Sequence, residues 1–556
     1  MSLKNLFAAK DMTLGAPWKR IMEFSIPMLL GNLAQQLYNT ADSVIVGHYV
    51  GDNALAAVGS AMPILNLLLA LFVGISTGAG IVVSQSFGAK DRDGLSKAIG
   101  NCIALSVIAT VVIMVVGPLI TMPMLKLLGT PSSIIDWCAQ YLNIYFLGIV
   151  GFFFYNMLSG ILRGLGDSMS ALGFLLIAAA LNVVLDLWFV QKMGVAGVSL
   201  ATVISQGISA VFCYLKLAKM QEHFDLGLKT MKLVPSMAGR ILRIGVPSGI
   251  TQAIMATAGM VVLNLTNAMG ETVIACNVIV MRVDGFAMMP NLTFGQARSV
   301  YTGQNVGAQK FGRVNQGVKQ GTIIAATFAT TITLILLLFS PYLFRLFTST
   351  PELIDLATRM IRIMAVGYIC VSVTQVLGGV MRGAGDTVSP MWISFISTIF
   401  IRIPVAYGLA WLTRNELNPH GQPAALFGSL MFSWVMGMVL SVIVFSIGKW
   451  KKENAPFHDS ISECTGYADA YPVFALELWL RLQLISAIMW KVSSEQEVMS
   501  YVFQAKFLAQ GQGCGYDHGQ YHPAYHHLRV SPADRQYFSA ALQHGGHMGG
   551  GKIRQQ

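Results

Sequence analysis

Twelve predominantly apolar stretches recur before residue 450, at roughly 24–46, 54–83, 97–125, 137–160, 169–190, 194–217, 244–268, 273–299, 316–344, 356–381, 388–412 and 423–448. A helix needs ~20 such residues to cross a bilayer. In lipid only helices and closed barrels satisfy the backbone. Barrel strands would be about half as long and would alternate in polarity, whereas these runs are continuous. The pattern predicts an all-α polytopic membrane protein with twelve transmembrane helices.

The pattern also repeats. SIPMLLGNL (25–33) resembles GVPSGITQA (245–253), with Pro27 facing Pro247, and SQSFGAKD (84–91) resembles TGQNVGAQK (302–310). LLGTPSSIIDWC (127–138) resembles LFTSTPELIDLA (346–357), and ILRGLGDS (161–168) returns as VMRGAGDT (380–387). All four pairs share an offset of about 220 residues, which chance rarely produces. Each unit holds six spans, so both halves insert the same way up, as in transporters whose repeats are related by an axis along the membrane normal. The expected organisation is a cytoplasmic lead-in (1–20), an N-lobe (21–217), a cytoplasmic linker (218–240), a C-lobe (241–450) and an atypical tail (451–556).

Composition agrees. Only 11% of the 556 residues are charged and 54% are hydrophobic, with a mean hydropathy of +0.60. Soluble domains carry about 25% charged residues. The net charge of +11 does not indicate nucleic acid, because the basic residues fall in alternate loops: Lys10, Lys19 and Arg20; Lys90, Arg92 and Lys97; Lys216, Lys219, Lys229 and Lys232; Lys310 and Arg313. That is the positive-inside pattern, and it predicts cytoplasmic termini in the cell membrane. The N-terminus lacks a signal-peptide pattern. The seven cysteines show neither metal-ligand spacing nor a compact disulfide pattern. No Walker-type phosphate loop or nucleophile-and-base constellation is present, so an enzyme is not expected.

Charge inside the apolar runs carries the candidate chemistry. In LNVVLDLWFV (181–190), Asn182 and Asp186 lie one helical turn apart and face the same way. In the first segment Gln35, Tyr38 and Asp42 form one polar stripe, and Thr202 follows Ser199 in the sixth. A charge at mid-bilayer costs at least ~2.5–3.5 kcal/mol and normally faces a cavity or a partner. These acids could take up a proton, or with the Asn182 carbonyl and Thr202 hydroxyl they could coordinate Na⁺. The residue pattern leaves both open, and it leaves open a structural role for Asp42 and Asp186 as well.

The repeated RGxGD[ST] motif and this polar set resemble the multidrug and toxic compound extrusion (MATE) family, over about residues 15–452, with the first half most similar to its DinF-like branch. The resemblance implies two six-helix bundles and a cation site in the first lobe formed by Asp42, Asn182, Asp186 and Thr202. It implies substrate contacts at Gln35 and Tyr38 and, by a looser match, Asn156. The function it implies is H⁺- or Na⁺-coupled antiport of amphipathic, often cationic drugs by a monomer in the lipid bilayer, without a cofactor. The alternative is a flippase for a lipid-linked or amphipathic metabolite; intramembrane basic residues for it are scarce, Arg282 and Arg402 being the main candidates.

The second half departs from the first. Asp42 falls at Val262 on the repeat, and no carboxylate stands where Asp186 would recur. Arg282 and Asp284 occupy the eighth segment instead. They either neutralise each other or line the second lobe, where Asp284 would contact substrate. In the two RGxGD[ST] copies, Gly166 and Gly385 suit tight turns, while Arg163 and Asp167, with Arg382 and Asp386, are expected to bond to loop backbone. Met28, Met255, Met260, Met288 and Met289 are candidate pocket linings, with lipid-facing or packing roles the favoured reading for each. The tail is rich in Gly, Gln and His; it is expected to be disordered, from an altered reading frame or a fusion, with Zn²⁺ binding by His518, His522 and His526 as a lesser alternative.

Overall fold

The computed structural model describes residues 9–448, without 228, 229 and 417. The tail expected at 451–556 lies outside the described residues. Helices α1 (Pro17–Tyr49), α2 (Asp52–Gly88) and α3 (Arg92–Leu127) open the N-lobe, followed by α4 (Ser132–Leu147), α5 (Val150–Gly164), α6 (Ser168–Met193) and α7 (Val195–Ala218). The C-lobe begins with α8 (Pro235–Ala268), α9 (Glu271–Gly307) and α10 (Phe311–Phe344). It continues with α11 (Pro351–Ala365), α12 (Gly367–Ala384), α13 (Val388–Phe395), α14 (Ile403–Leu412) and α15 (Ala424–Ile447).

Among the described residues, nine helices are long and apolar enough to cross a membrane, or eleven if each of two bent pairs counts as one span. Helix α1, with 33 residues, completes the twelve. Its stripe of Asn32, Gln35, Gln36, Asn39, Thr40 and Asp42 lowers its hydropathy although its length suffices.

Two segments expected to be continuous are broken. The α4–α5 pair bends by 53° and the α11–α12 pair by 43°. At both bends a neighbour packs closely on a glycine. A Cβ on Gly151 would lie 2.6 Å from the Gly207 backbone nitrogen of α7, and the ring of Trp434 fills the place of a Cβ on Gly367. A third irregularity is a wide π-helical stretch at Ile396–Arg402, between α13 and α14. Pro404 follows directly; it has no N–H and clashes with the carbonyl four residues earlier, so a widened turn relieves the strain.

Each lobe has its own apolar core. In the N-lobe the rings of Phe72 and Phe153 stack at 3.7 Å between α2 and α5, where Gly80 and Gly164 allow close backbone packing. The C-lobe core gathers Val273, Leu336, Ile361 and Phe427.

The lobes join at the end that carries the basic loops. Gly74 and Gly78 of α2 cross Gly249 and Gly245 of α8, and Gly88 lies on the Gln304 carbonyl of α9. Gln85 Nε2 donates to the Gly383 carbonyl at 2.9 Å, and Gln304 Nε2 to that of Gly164 at 3.1 Å. Among the described residues, the inter-lobe side-chain bond farthest from this end is Asn32 Nδ2 to Thr293 Oγ1 at 2.9 Å, near mid-helix. Beyond it, Asn39, Thr40, Thr257 and Asn264 are exposed. Exposed amides such as Asn39 and Asn264 at this depth suit a face that meets water rather than lipid. The connector straps onto α3: Ser96 Oγ accepts from the Asp225 N–H at 2.8 Å, and Asn101 Oδ1 from that of Val234 at 2.8 Å. Residues 9–16 tuck into the same end, with the Met12 N–H donating to Gln304 Oε1 at 2.8 Å and the Lys10 backbone against Gly166.

Candidate functional site

Helices α1, α6 and α7 bring Asp42, Asn182, Asp186 and Thr202 together inside the N-lobe. Asn182 and Asp186 are fully buried, and Thr202 nearly so. The one-turn spacing on α6 points both its polar side chains at α1, and the carboxyl groups of Asp42 and Asp186 lie within hydrogen-bonding reach of each other.

The Asn182 amide sits between them, and chemistry sets its orientation. With its oxygen toward the acids it would face carboxylate oxygens alone. Turned the other way, Nδ2 donates to Asp42 Oδ1 at 2.8 Å and to Asp186 Oδ2 at 2.9 Å, while its oxygen accepts from the Thr202 N–H at 3.2 Å. Asp186 Oδ1 is buried without a hydrogen-bond donor. The Thr202 hydroxyl donates to the Val198 carbonyl at 3.0 Å, so its lone pairs remain for the cage. A half-turn of one amide therefore exchanges two N–H donors for a third oxygen ligand. One geometry suits carboxylates without a metal, the other a hard cation with oxygen ligands.

The Gln35–Tyr38–Asp42 stripe divides between two environments. Tyr38 is buried with its hydroxyl close to Asp42 and Thr202. Gln35 lines a cavity of about 210 Å³ between the lobes, as do Met28 and Asn156. Asn156 Nδ2 also donates to the Phe152 carbonyl at 2.8 Å.

The two RGxGD motifs are placed partly as expected. The acids cap helices: Asp167 accepts from the Ser170 N–H at 2.9 Å and the Ser170 hydroxyl at 2.6 Å, with Lys216 Nζ at 3.6 Å. Asp386 accepts from the Ser389 N–H at 2.9 Å. Gly166 and Gly385 have φ of 85° and 103°, a left-handed conformation that suits glycine. The arginines depart from expectation. Arg163 and Arg382 do not bond to the loop backbone; both line the inter-lobe cavity. The signal was present in the sequence, since each arginine precedes its capping acid by four residues across a helix end, so the two side chains leave in different directions.

A second cavity, of about 440 Å³, lies mainly in the C-lobe and includes Met255, Asp284, Met288, Arg382, Arg402 and Trp434 in its wall. The possible Arg282–Asp284 pair does not form. Arg282 is exposed, while Asp284 Oδ1 accepts from the Tyr368 hydroxyl at 2.8 Å and interacts electrostatically with Arg402. On a helix, residues two apart point to opposite sides, which separates 282 from 284. Met260 and Met289 line neither cavity. Among the described residues, no three His, Cys, Asp or Glu side chains cluster to hold a metal ion.

Comparison with known proteins bears on the whole architecture. The chain is 28% identical over 444 residues to the probable multidrug resistance protein YoeA of Bacillus subtilis, covering 77% of this chain and 96% of that protein. It is 25% identical to the probable multidrug resistance protein NorM of Thermotoga maritima, covering 80% and 96%. The crystal structure of MATE in the bent conformation superposes with a TM-score of 0.73 at 24% identity, over 80% of this chain and 98% of that one. The MatE family model matches twice, at residues 27–188 and 247–408, copies that begin at Pro27 and Pro247 and reproduce the internal offset. With more than half of its length in those two matches, the chain belongs to the MatE family and is a multi-pass MATE transporter.

Proposed function

We propose that the chain is a cation-coupled multidrug efflux antiporter, exchanging H⁺ or Na⁺ for amphipathic, often cationic compounds. The carrying observation is the buried N-lobe cage, in which two carboxyl groups from different helices meet around Asn182. Two carboxylates at such range, out of water, repel unless a proton or a small cation sits between them. An organic cation drawn by the same charge competes with that ion, and alternate occupancy by ion and drug constitutes exchange. The names of the Bacillus and Thermotoga relatives support drugs as substrates.

The loop charges support placing the basic end in the cytoplasm. In that orientation the lobes meet on the cytoplasmic side and part on the outer side, as in a state ready to release drug and load the ion. Rocking of the two bundles supplies the opposite state. A potential of 100 mV contributes ~2.3 kcal/mol per net charge moved, so it helps drive efflux when more ion charge enters than drug charge leaves, while a one-for-one swap of monovalent cations draws on the ion's concentration gradient. We take the working unit to be a monomer.

The test is efflux of an ethidium-like cation from proteoliposomes under separately imposed pH and Na⁺ gradients. The reading expects one gradient to drive efflux, and Asp42→Asn and Asp186→Asn each to abolish it while the protein still inserts and elutes as a single species. Full efflux in both variants would overturn it.

A further inference from the structure

We propose that the inter-lobe cavity at the basic end is an anion-binding subsite, in which Arg163 and Arg382 together hold one oxyanion headgroup, a carboxylate or phosphate, of an amphipathic ligand. The two arginines occupy equivalent positions in the repeat, in the last turns of α5 and α12. Both guanidinium groups line the same cavity of about 210 Å³, one from each lobe.

Neither guanidinium has a hydrogen bond or ion pair among the described residues, and Arg163 has only Tyr155 and Cys213 as electrostatic neighbours. The cavity wall contains no Asp or Glu; its other polar residues are neutral, among them Asn32, Gln35 and Ser299. Space for the side chains is built in. Arg163 Nη2 would lie 3.9 Å from a Cβ on Gly160, and Arg382 Nη1 3.3 Å from one on Gly378, so a glycine lies beneath each arginine.

Both arginines line one cavity without an acid in its wall, and a positive charge is costly to keep in a partly dehydrated space without a counter-charge. An oxyanion between them removes both penalties, and the planar guanidinium fork matches the geometry of carboxylate and phosphate. Mutual pairing with acids, the usual alternative, is closed to them: Asp167 and Asp386 are engaged in capping. The site has the opposite sign from the N-lobe cage, so it selects a different chemical group. Arg382 also lines the larger C-lobe cavity, where an apolar body attached to such a headgroup could extend.

The experiment uses the full-length protein in phosphatidylcholine nanodiscs. Isothermal titration compares 1-naphthylacetate with 1-naphthylethylamine, and native mass spectrometry measures retention of phosphatidylglycerol against phosphatidylcholine. The wild-type protein is expected to bind the carboxylate or retain the anionic lipid selectively. Arg163→Gln and Arg382→Gln should each weaken that binding at least tenfold, with the Lys variants losing less. Carboxylate binding without lipid selectivity assigns a soluble ligand; selective lipid retention assigns a lipid phosphate. No preference for either anion in the wild type, a comparison that needs no variant to fold, overturns the proposal, as does unchanged anion binding in both folded Gln variants. Because the readout is equilibrium binding, its failure is separable from failure of the cation-driven efflux reading.

Discussion

Asn182 Nδ2 lies 2.8 Å from Asp42 Oδ1 and ties the fifth span to the first. With Asp186 on the same amide nitrogen, this contact spans the N-lobe interior, and under the proposed cation coupling the orientation of Asn182 separates the two candidate ions. If Na⁺ is the coupling ion, the amide must turn its oxygen inward and Thr202 must lend its hydroxyl. Thr202→Val, which keeps the shape and removes that oxygen, is then expected to reduce Na⁺-driven efflux at least tenfold. If H⁺ is the coupling ion, the same variant should lose less than threefold. Initial efflux rates under each gradient decide.

The Tyr368–Asp284 hydrogen bond supports a separate prediction in the C-lobe. Tyr368 is fully buried, and a hydrogen bond to a charged partner contributes about 1.5–3 kcal/mol. Tyr368→Phe is expected to lower stability by about that amount. Adding Asp284→Asn should cost less than the two single losses combined, because both act on one bond. A double-mutant cycle by thermal unfolding in detergent measures the coupling.

The glycine crossings predict a shift in the balance of conformations. A Cβ on Gly88 would overlap the Gln304 carbonyl, and one on Gly78 would sit 2.5 Å from the Gly245 nitrogen. Backbone cannot move aside as a side-chain tip can, and overpacking typically costs about 1–3 kcal/mol. Gly78→Ala and Gly88→Ala should therefore favour separation at the basic end. Spin labels on the two lobes at that end should report longer distances, with efflux reduced.

The two capping acids should be unequal. Asp167 accepts two hydrogen bonds from Ser170 and faces Lys216, while Asp386 accepts one from Ser389. Loss of a cap costs about 0.5–2 kcal/mol. Asp167→Ala is expected near the top of that range and Asp386→Ala near the bottom, read as the ordering of melting temperatures.

At the connector, the Arg92 guanidinium bonds to Asp225 and holds that carboxyl below its usual range. The sign follows from a depressed acid: the contribution is present above the unfolded value and is lost only as pH falls through the folded one. Both side chains are exposed, and exposed ion pairs contribute little, so Asp225→Asn should leave the melting temperature unchanged between pH 5 and 8. A clear loss there would mean the strap is held by this pair rather than by its backbone bonds.

Much of this architecture was legible in the residues. The twelve spans and the 220-residue repeat could be read because lipid leaves few alternatives to an apolar helix and because Pro27, Pro247 and the two RGxGD copies mark the register. The meeting of Asp42 with Asn182 and Asp186 was legible only through family resemblance, since periodicity places residues on a helix face and does not say which helix that face meets. The breaks at 148–149 and 366 were hidden, because apolar periodicity runs through them and the close packing of α7 on Gly151 and of Trp434 on Gly367 is a tertiary feature. The bond from Tyr368 to Asp284 was hidden for the same reason: its partners are 84 residues apart. Arg163 and Arg382 were misread through adjacency. They share a motif with capping acids, and the helix end between them sends the arginines inward.

Residues 9–16 have a consequence for the speed of the cycle. The segment rests its Lys10 backbone on Gly166 of one lobe and attaches to the other through Gln304, Asn305, Lys310 and Arg313. Parting the lobes there requires unfastening a polar clasp that shares no residue with Asp42, Asn182, Asp186 and Thr202. Changes in this leading strap are therefore expected to alter turnover more than affinity, which would make it a handle for slowing the machine without altering what it carries.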